Sequence, residues 1–342
     1  MFASILKKVF ITIIGLFLIP SYVIANNVDD ELTELISKKN LQQQQYQKNY
    51  ERSDNQDSLD DAIAKVIERD QRYNVNQGGI VISSADKNFN GRNFGSLLLS
   101  SKAAVIQDLH TGKILYEKNS DTLRSIASIS KLMSAMVILD ANLNMDELIV
   151  ITEDDVDKLK NTGSRLKIGT ILSRRQLLHL GLMSSENRAI HALARTYPFG
   201  INKFVSNMNK KAYDLGMYDT IFFEPTGLDP RNKSTAKDLL IMAKVANKYN
   251  YIRKYSTSNY VEIITSSGSL QRYKNSNALV RDGIWDIRLQ KTGYIMESGK
   301  CMVVMANLYG KPILIVLLGA PDSKSRERDA LKTEEWLTTN LY

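Results

Sequence analysis

Strand-like runs at both ends of residues 96–342, with amphipathic helical segments between them, predict an α+β fold in which one sheet unites the two ends of the chain. A hairpin signal opens the segment, a helical middle follows, and a second hairpin signal and a last helix close it.

The first hairpin comes from Ala103 to Gln107 and Lys113 to Tyr116, apolar runs around Asp108-Leu109-His110-Thr111-Gly112. Ile129 to Leu139 is apolar nearly all round, the pattern of a buried helix. Ser173, with Gln176 three residues on, marks another helix start. Ile201, Phe204, Val205 and Met208 trace a further helix, and Ser234 reads as the N-cap of the next. Ile287 to Tyr294 reads as a strand. Cys301 to Asn307 and Ile313 to Leu318 flank Tyr309-Gly310-Lys311-Pro312 as the second hairpin, and Ser323 to Asn340 forms the last helix. No internal repeat is visible.

The first 25 residues stand apart. Lys7 and Lys8 precede an apolar run from Val9 to Ile19, Pro20 and Ser21 break it, and Val23-Ile24-Ala25 offers a cleavage site. This is the layout of a secretory signal peptide (1–25). The run is short for the ~30 Å of a bilayer's hydrocarbon. Residues 26–95 form a polar extension, with a glutamine run at Gln42 to Gln45, expected to be largely disordered. Within it, Leu59, Ala62, Ile63, Val66 and Ile67 share one helical face, so a short amphipathic helix is expected near 58–69, packed on the main domain or on a partner.

The net charge is +8; residues 26–95 hold 12 acids and 9 bases, and residues 96–342 carry +9. A basic body suits an acidic partner, and export argues against nucleic acid. The one cysteine, Cys301, excludes an internal disulfide and, between strand-like neighbours, reads as buried. His110, His179 and His191 are scattered, and no HExxH or Cys/His cluster exists, so no metal and no cofactor are expected.

Three motifs carry chemistry. Ser128-Ile129-Ser130-Lys131 puts a hydroxyl and an amine on one helical face. At a helix start the serine gains backbone N–H groups and positive dipole. The lysine can act as a base once burial lowers its pKa and a neighbouring cation assists. With 30 serines and 28 lysines the spacing recurs by chance, at Ser4, Ser84, Ser164 and Ser234. Only Ser128 leads into a wholly apolar helix that would bury its lysine. Ser185-Glu186-Asn187 lies in a turn between helices and offers a second hydroxyl and an amide. Lys291-Thr292-Gly293 lies on a strand, its lysine and threonine suited to a carboxylate and its glycine to a ligand backbone along an edge.

The order of these motifs, 57 residues from Ser128 to Ser185 and 106 from Ser185 to Lys291, resembles that of penicillin-binding proteins and class A β-lactamases. Longer strings are similar to the low-mass D-Ala-D-Ala peptidases: LMSSENRA (Leu182 to Ala189), EPTGLDP (Glu224 to Pro230) and STAKDL (Ser234 to Leu239). YKNSNALV (Tyr273 to Val280) and LQKTGY (Leu289 to Tyr294) most resemble the DD-endopeptidase branch of that family. The resemblance covers residues 96–342 and not the extension.

It implies an antiparallel sheet flanked by helices beside a mostly helical subdomain, with the cleft between. It implies Ser128 as nucleophile, Lys131 as base, Ser185 as proton relay to the leaving amine, and Asn187 as a holder of substrate and Lys131. Lys291 and Thr292 would take the carboxylate beside the scissile bond, and the N–H groups of Ser128 and Tyr294, beyond Gly293, would form the oxyanion hole. Peptidoglycan peptide stems are the implied substrate, β-lactam antibiotics the covalent inhibitors, and the periplasm the location, with at most loose membrane association. Residues 26–95 are a candidate contact for other cell-wall enzymes. Family carboxypeptidases commonly continue into a β-rich second domain, whereas only 49 residues follow Gly293 here; that favours an endopeptidase cutting D-Ala–diaminopimelate cross-links over a carboxypeptidase. Glu224-Pro225-Thr226-Gly227-Leu228-Asp229 superficially resembles a β-lactamase's deacylating segment, but its last residue and its spacing differ. Three intact motifs argue against a non-catalytic wall-binding protein.

Overall fold

The computed structural model describes residues 63–68, 96–265 and 268–341. The expected signal peptide, and the extension apart from 63–68, lie outside the described residues. Residues 63–68 form a helix, α1. Its buried Val66 packs with Leu123 and Ile221, so this helix sits on the main domain.

The chain then runs through β1 (Ala103–Asp108), β2 (Ile114–Lys118), β3 (Arg124–Ser125), a 3₁₀ turn (Ala127–Ile129) and α2 (Ser130–Asp140). β4 (Leu148–Val150), β5 (Ile171–Ser173), α3 (Arg174–Met183), α4 (Asn187–Arg195), α5 (Gly200–Asp214), β6 (Lys233–Ser234), α6 (Ala236–Ala246) and α7 (Asn250–Ser256) make up the helical middle. β7 (Tyr260–Ile264), β8 (Leu270–Lys274), α8 (Ala278–Arg281), β9 (Asp286–Ile295), β10 (Gly299–Leu308), β11 (Lys311–Ala320) and α9 (Ser323–Leu341) complete it.

The main sheet has five antiparallel strands in the order β2-β1-β11-β10-β9. Ala103 lies opposite Leu318 and Asp108 opposite Ile313, so the first strand pairs with the last. Alternate side chains leave the sheet on opposite faces. Ala103, Val105, Val303 and Val316 join the core shared with the helical middle. Ala104, Ile106, Val304 and Ile315 face the other way, where Ala330 and Leu337 of α9 cover them. Burial on both faces is why these strands read as unbroken apolar runs. Asp329 of α9 takes hydrogen bonds from the Ser100 and Ser101 backbone N–H groups and from the Ser101 hydroxyl, pinning the start of the domain to its last helix.

α2 is buried on nearly every side among α3, α4, α5 and α6. Ser173 and Gln176 cap α3 reciprocally, as their spacing predicts. One expected cap is corrected. Ser234 pairs with Arg124 in the short β3–β6 ribbon and is wholly buried, while Thr235 caps α6 by accepting the Asp238 N–H. Ser and Thr are near-equivalent caps locally, and strand pairing decides between neighbours.

Candidate active site

The site is built where the start of α2, the α3–α4 turn, the 224–232 loop and β9 converge. Ser128 lies in the 3₁₀ turn, half-buried, just before α2. Ala127 takes a φ of 47°, the left-handed region, which turns the chain sharply into the helix. Two glycines pack against that turn. A Cβ on Gly227 (φ 84°) would lie 1.9 Å from the Ala127 carbonyl oxygen and 2.7 Å from the Ser128 nitrogen. A Cβ on Gly293 would lie 2.9 Å from the Ser128 nitrogen. The edge-strand position expected of the third motif is observed, since β9 borders the sheet; its glycine admits the 3₁₀ turn. Gly227→Ala is therefore expected to destabilise by about 3 kcal/mol or more, combining overpacking with left-handed strain. Urea unfolding checks this, and a loss below about 1 kcal/mol would show that the loop yields freely.

Lys131 is wholly buried on α2. Its Nζ contacts the Ser128 Oγ at 2.7 Å, the Asn187 Oδ1 at 2.8 Å and the Thr226 carbonyl oxygen at 2.5 Å. Burial pushes its pKa down to about 8, although the carboxylates of Glu224, Glu186 and Asp157 pull it upward. An ammonium donates to all three neighbours. A neutral amine has two N–H donors and one lone pair, and of its three neighbours only the Ser128 hydroxyl carries a proton to give. The lone pair thus falls on Ser128, and the geometry can deprotonate that hydroxyl.

Asn187 opens α4, and its orientation is set outside the motif. Its Nδ2 donates to the Thr162 Oγ1 at 3.2 Å, and Thr162 donates its own proton to Asp157 at 2.6 Å. That chain turns Oδ1 toward Lys131. Glu186, between Ser185 and Asn187, accepts from the Ser164 hydroxyl at 2.7 Å. Ser185 takes a φ of 64° in the turn, and among the described residues its hydroxyl makes no hydrogen bond. The structure places it two residues from Asn187 without bonding it to Ser128 or Lys131.

The Thr226 carbonyl is held by its own loop. Glu224 accepts from the N–H groups of Thr226 and Gly227 and from the Thr226 hydroxyl, at 2.5 to 2.7 Å. Buried Asn232 donates to the Glu224 carbonyl at 2.9 Å and to the Ser130 hydroxyl at 3.1 Å. With its carboxylate spent on the loop's own N–H groups, Glu224 is a loop-forming residue, unlike a deacylating base.

Lys291 is wholly buried on β9 and donates to the Thr292 carbonyl at 2.8 Å. Burial and the charges of Lys131 and Arg326 hold its pKa well below the ordinary lysine range. Burial, and not help from Lys291, accounts for the low Lys131 pKa. The Thr292 hydroxyl donates to the Ser276 hydroxyl at 2.7 Å. Tyr294 is 54% exposed, with the Lys300 ammonium 3.3 Å from its ring centre. An ion pair of 2.5 Å joins Lys160 to Glu297, linking the 152–170 loop to the β9–β10 turn.

Thr162, Asp157, Thr226, Glu224 and Asn232 are not singled out by the sequence as parts of the site. The EPTGLDP string flags the loop, but nothing in it announces that a backbone carbonyl is the working group.

A sequence profile of the family described as D-alanyl-D-alanine carboxypeptidase matches residues 93–322. The D-alanyl-D-alanine endopeptidase of Pseudomonas aeruginosa is 39% identical over 242 residues, 70% of this chain and 78% of that protein. The crystal structure of the Streptomyces K15 DD-transpeptidase superposes with a TM-score of 0.65 at 29% identity, covering 70% of this chain and 97% of that one. Penicillin-binding protein D2 of Listeria monocytogenes, in its ampicillin-bound form, gives a TM-score of 0.61 at 29% identity, covering 71% and 99%.

Proposed function

The chain belongs to the D-alanyl-D-alanine carboxypeptidase family of serine hydrolases acting on peptidoglycan, and on that footing we propose that it is a DD-endopeptidase that cuts D-Ala–diaminopimelate cross-links through an acyl-enzyme on Ser128. The observation that carries the acyl-enzyme is the set of three hydrogen bonds to Lys131, of which only the one to Ser128 can reverse. The endopeptidase reading is supported by the name of the Pseudomonas aeruginosa relative.

Ser128 Oγ attacks the D-Ala carbonyl carbon as its proton passes to Lys131. The N–H groups of Ser128 and Tyr294 stabilise the oxyanion. Ser185 relays the proton held by Lys131 to the departing amine, the C–N bond breaks, and an ester remains on Ser128 until water hydrolyses it. Asn187 holds the substrate amide as well as Lys131. Lys291 and Thr292 take the carboxylate on the leaving residue. That carboxylate would draw the Lys291 pKa back up, coupling its arrival to proton uptake. A β-lactam would enter the same chemistry and stall as the ester; the Listeria protein has been crystallised with ampicillin bound. We place the protein in the periplasm, exported by residues 1–25, with residues 26–95 as a contact for other cell-wall enzymes.

Purified cross-linked muropeptide dimers and monomeric pentapeptides, digested in parallel, test the specificity. Dimers are expected to be cleaved about tenfold or more faster, a preference of roughly 1.4 kcal/mol in transition-state binding. Efficient trimming of pentapeptides with dimers left intact would make the protein a carboxypeptidase.

A further inference from the structure

Beside the Ser185 turn lies a second feature, which the chemistry above does not use. A cleft of about 400 Å³ is bounded by Ser164 and Arg165 on one loop, by Ser184 and Glu186 on either side of Ser185, and by Arg272 and Lys274 on β8. Both walls are continuous with the site. The Ser276 N–H donates to the Met183 carbonyl at 2.9 Å, tying the end of β8 to the α3–α4 turn, and Ser276 is the residue bonded to Thr292.

The lining is cationic. Buried Tyr273 forms part of it, with the Arg165 guanidinium stacked 4.2 Å from its ring centre. Arg165 also donates to the Arg272 carbonyl at 3.0 Å, so its plane is fixed in advance. Among the described residues Arg165 has no carboxylate partner and Lys274 has no side-chain partner. Arg272 is neutralised by Glu262 at 2.7 Å. Glu186 is the one acid in the lining, and one of its oxygens is occupied by Ser164. A preorganised guanidinium facing a polar cleft is suited to a planar anion, which it can grip with two parallel hydrogen bonds.

We propose that this cleft is a subsite for a second carboxylate of the peptide substrate, separate from the one taken at Lys291 and Thr292, with Arg165 and Lys274 as its ligands. The inference rests on the peptidase reading, because an acidic peptide stem held at Ser128 presents further carboxylates alongside the Ser185 turn. Arg165 and Lys274 touch neither Ser128 nor Lys131, so their part is to position the stem.

Calorimetric titration with a peptidoglycan tetrapeptide tests it, using the free acid and the same peptide with its internal carboxylates amidated. The wild-type protein is expected to bind the free acid about tenfold more tightly than the amidated form, the scale of partly exposed charge-assisted contacts. Arg165→Gln with Lys274→Gln should erase that difference. Lys274→Gln alone, which breaks no contact in the fold, should reduce it by about threefold. Labelling by a fluorescent penicillin should stay unchanged in both variants. Equal affinity of the wild type for the two peptides, or variants that still discriminate between them, would overturn the subsite. Absent labelling of the wild type would overturn the peptidase reading instead, and the titration would still decide the subsite.

Discussion

Replacing Ser128 by alanine is expected to abolish both penicillin labelling and cleavage of peptidoglycan peptides, a loss of about 10⁴-fold or more. The expectation rests on position. Ser128 is the hydroxyl within 2.7 Å of the Lys131 amine, in a turn fixed from two sides by Gly227 and Gly293. The sharp control is Ser234, which has the same spacing to a lysine. The Ser234 hydroxyl is buried against Thr220 at 2.7 Å, and Lys237 is engaged with Asp121 at 2.8 Å. Ser234→Ala should therefore cost about 1 kcal/mol of stability while labelling persists. Gel fluorescence after penicillin treatment reads both variants, and labelling retained by Ser128→Ala would remove Ser128 from the mechanism.

Lys131→Met should lower the second-order acylation rate by about 10³-fold, within the range of general-base contributions. In the wild type the same rate should rise with pH and level off above about 8, the value to which burial brings the amine. The sign follows from the role. Only the neutral amine accepts a proton, and depressing the pKa enlarges its share at every pH below the ordinary lysine value. At pH 6 a pKa near 8 leaves about 1% of the amine neutral, so the rate should be about a hundredfold below its plateau. The second-order rate reports the free enzyme, whose pKa this is. Stopped-flow acylation between pH 5 and about 9 makes the measurement, and a flat profile would mean that Lys131 does not titrate as proposed.

The helix-borne half of the site was legible because helical spacing is local. Ser128 and Lys131 meet by geometry within one turn, and an apolar run around a lysine announces its burial. The groups that orient them were not legible. Asp157, Thr162 and Thr226 come from loops without period, and one of them acts through its backbone carbonyl, a group every residue carries. The sheet was readable from its double burial. The β7–β8 hairpin was not, because although burial alternates along both strands, its outward positions include apolar Tyr260, Ile264 and Leu270, so the polarity of the sequence does not follow the alternation. A neighbouring cation was expected to help lower the Lys131 pKa. The charges acting on it are instead the carboxylates of Glu224, Glu186 and Asp157, which raise it, so burial does the lowering. The charge of Lys131 in turn adds to burial at Lys291.

The pairing of β1 with β11 sets the timetable by which the molecule assembles. Helices between residues 130 and 256 pack on one another, and that segment is complete well before residue 318 emerges. The middle of the sheet has to wait, because Ala103 has no partner on its β11 side until Leu318 arrives. Such long-range pairing raises contact order and slows folding. Gly293, which packs against the turn bearing Ser128, belongs to the edge strand of this late-closing sheet. A nascent or partly folded chain therefore carries Ser128, just before α2, and Lys131, on α2, before it carries the strand that packs against their turn. The candidate site is closed only by the last strands, and a half-made chain leaves Ser128 without the strand that packs against its turn.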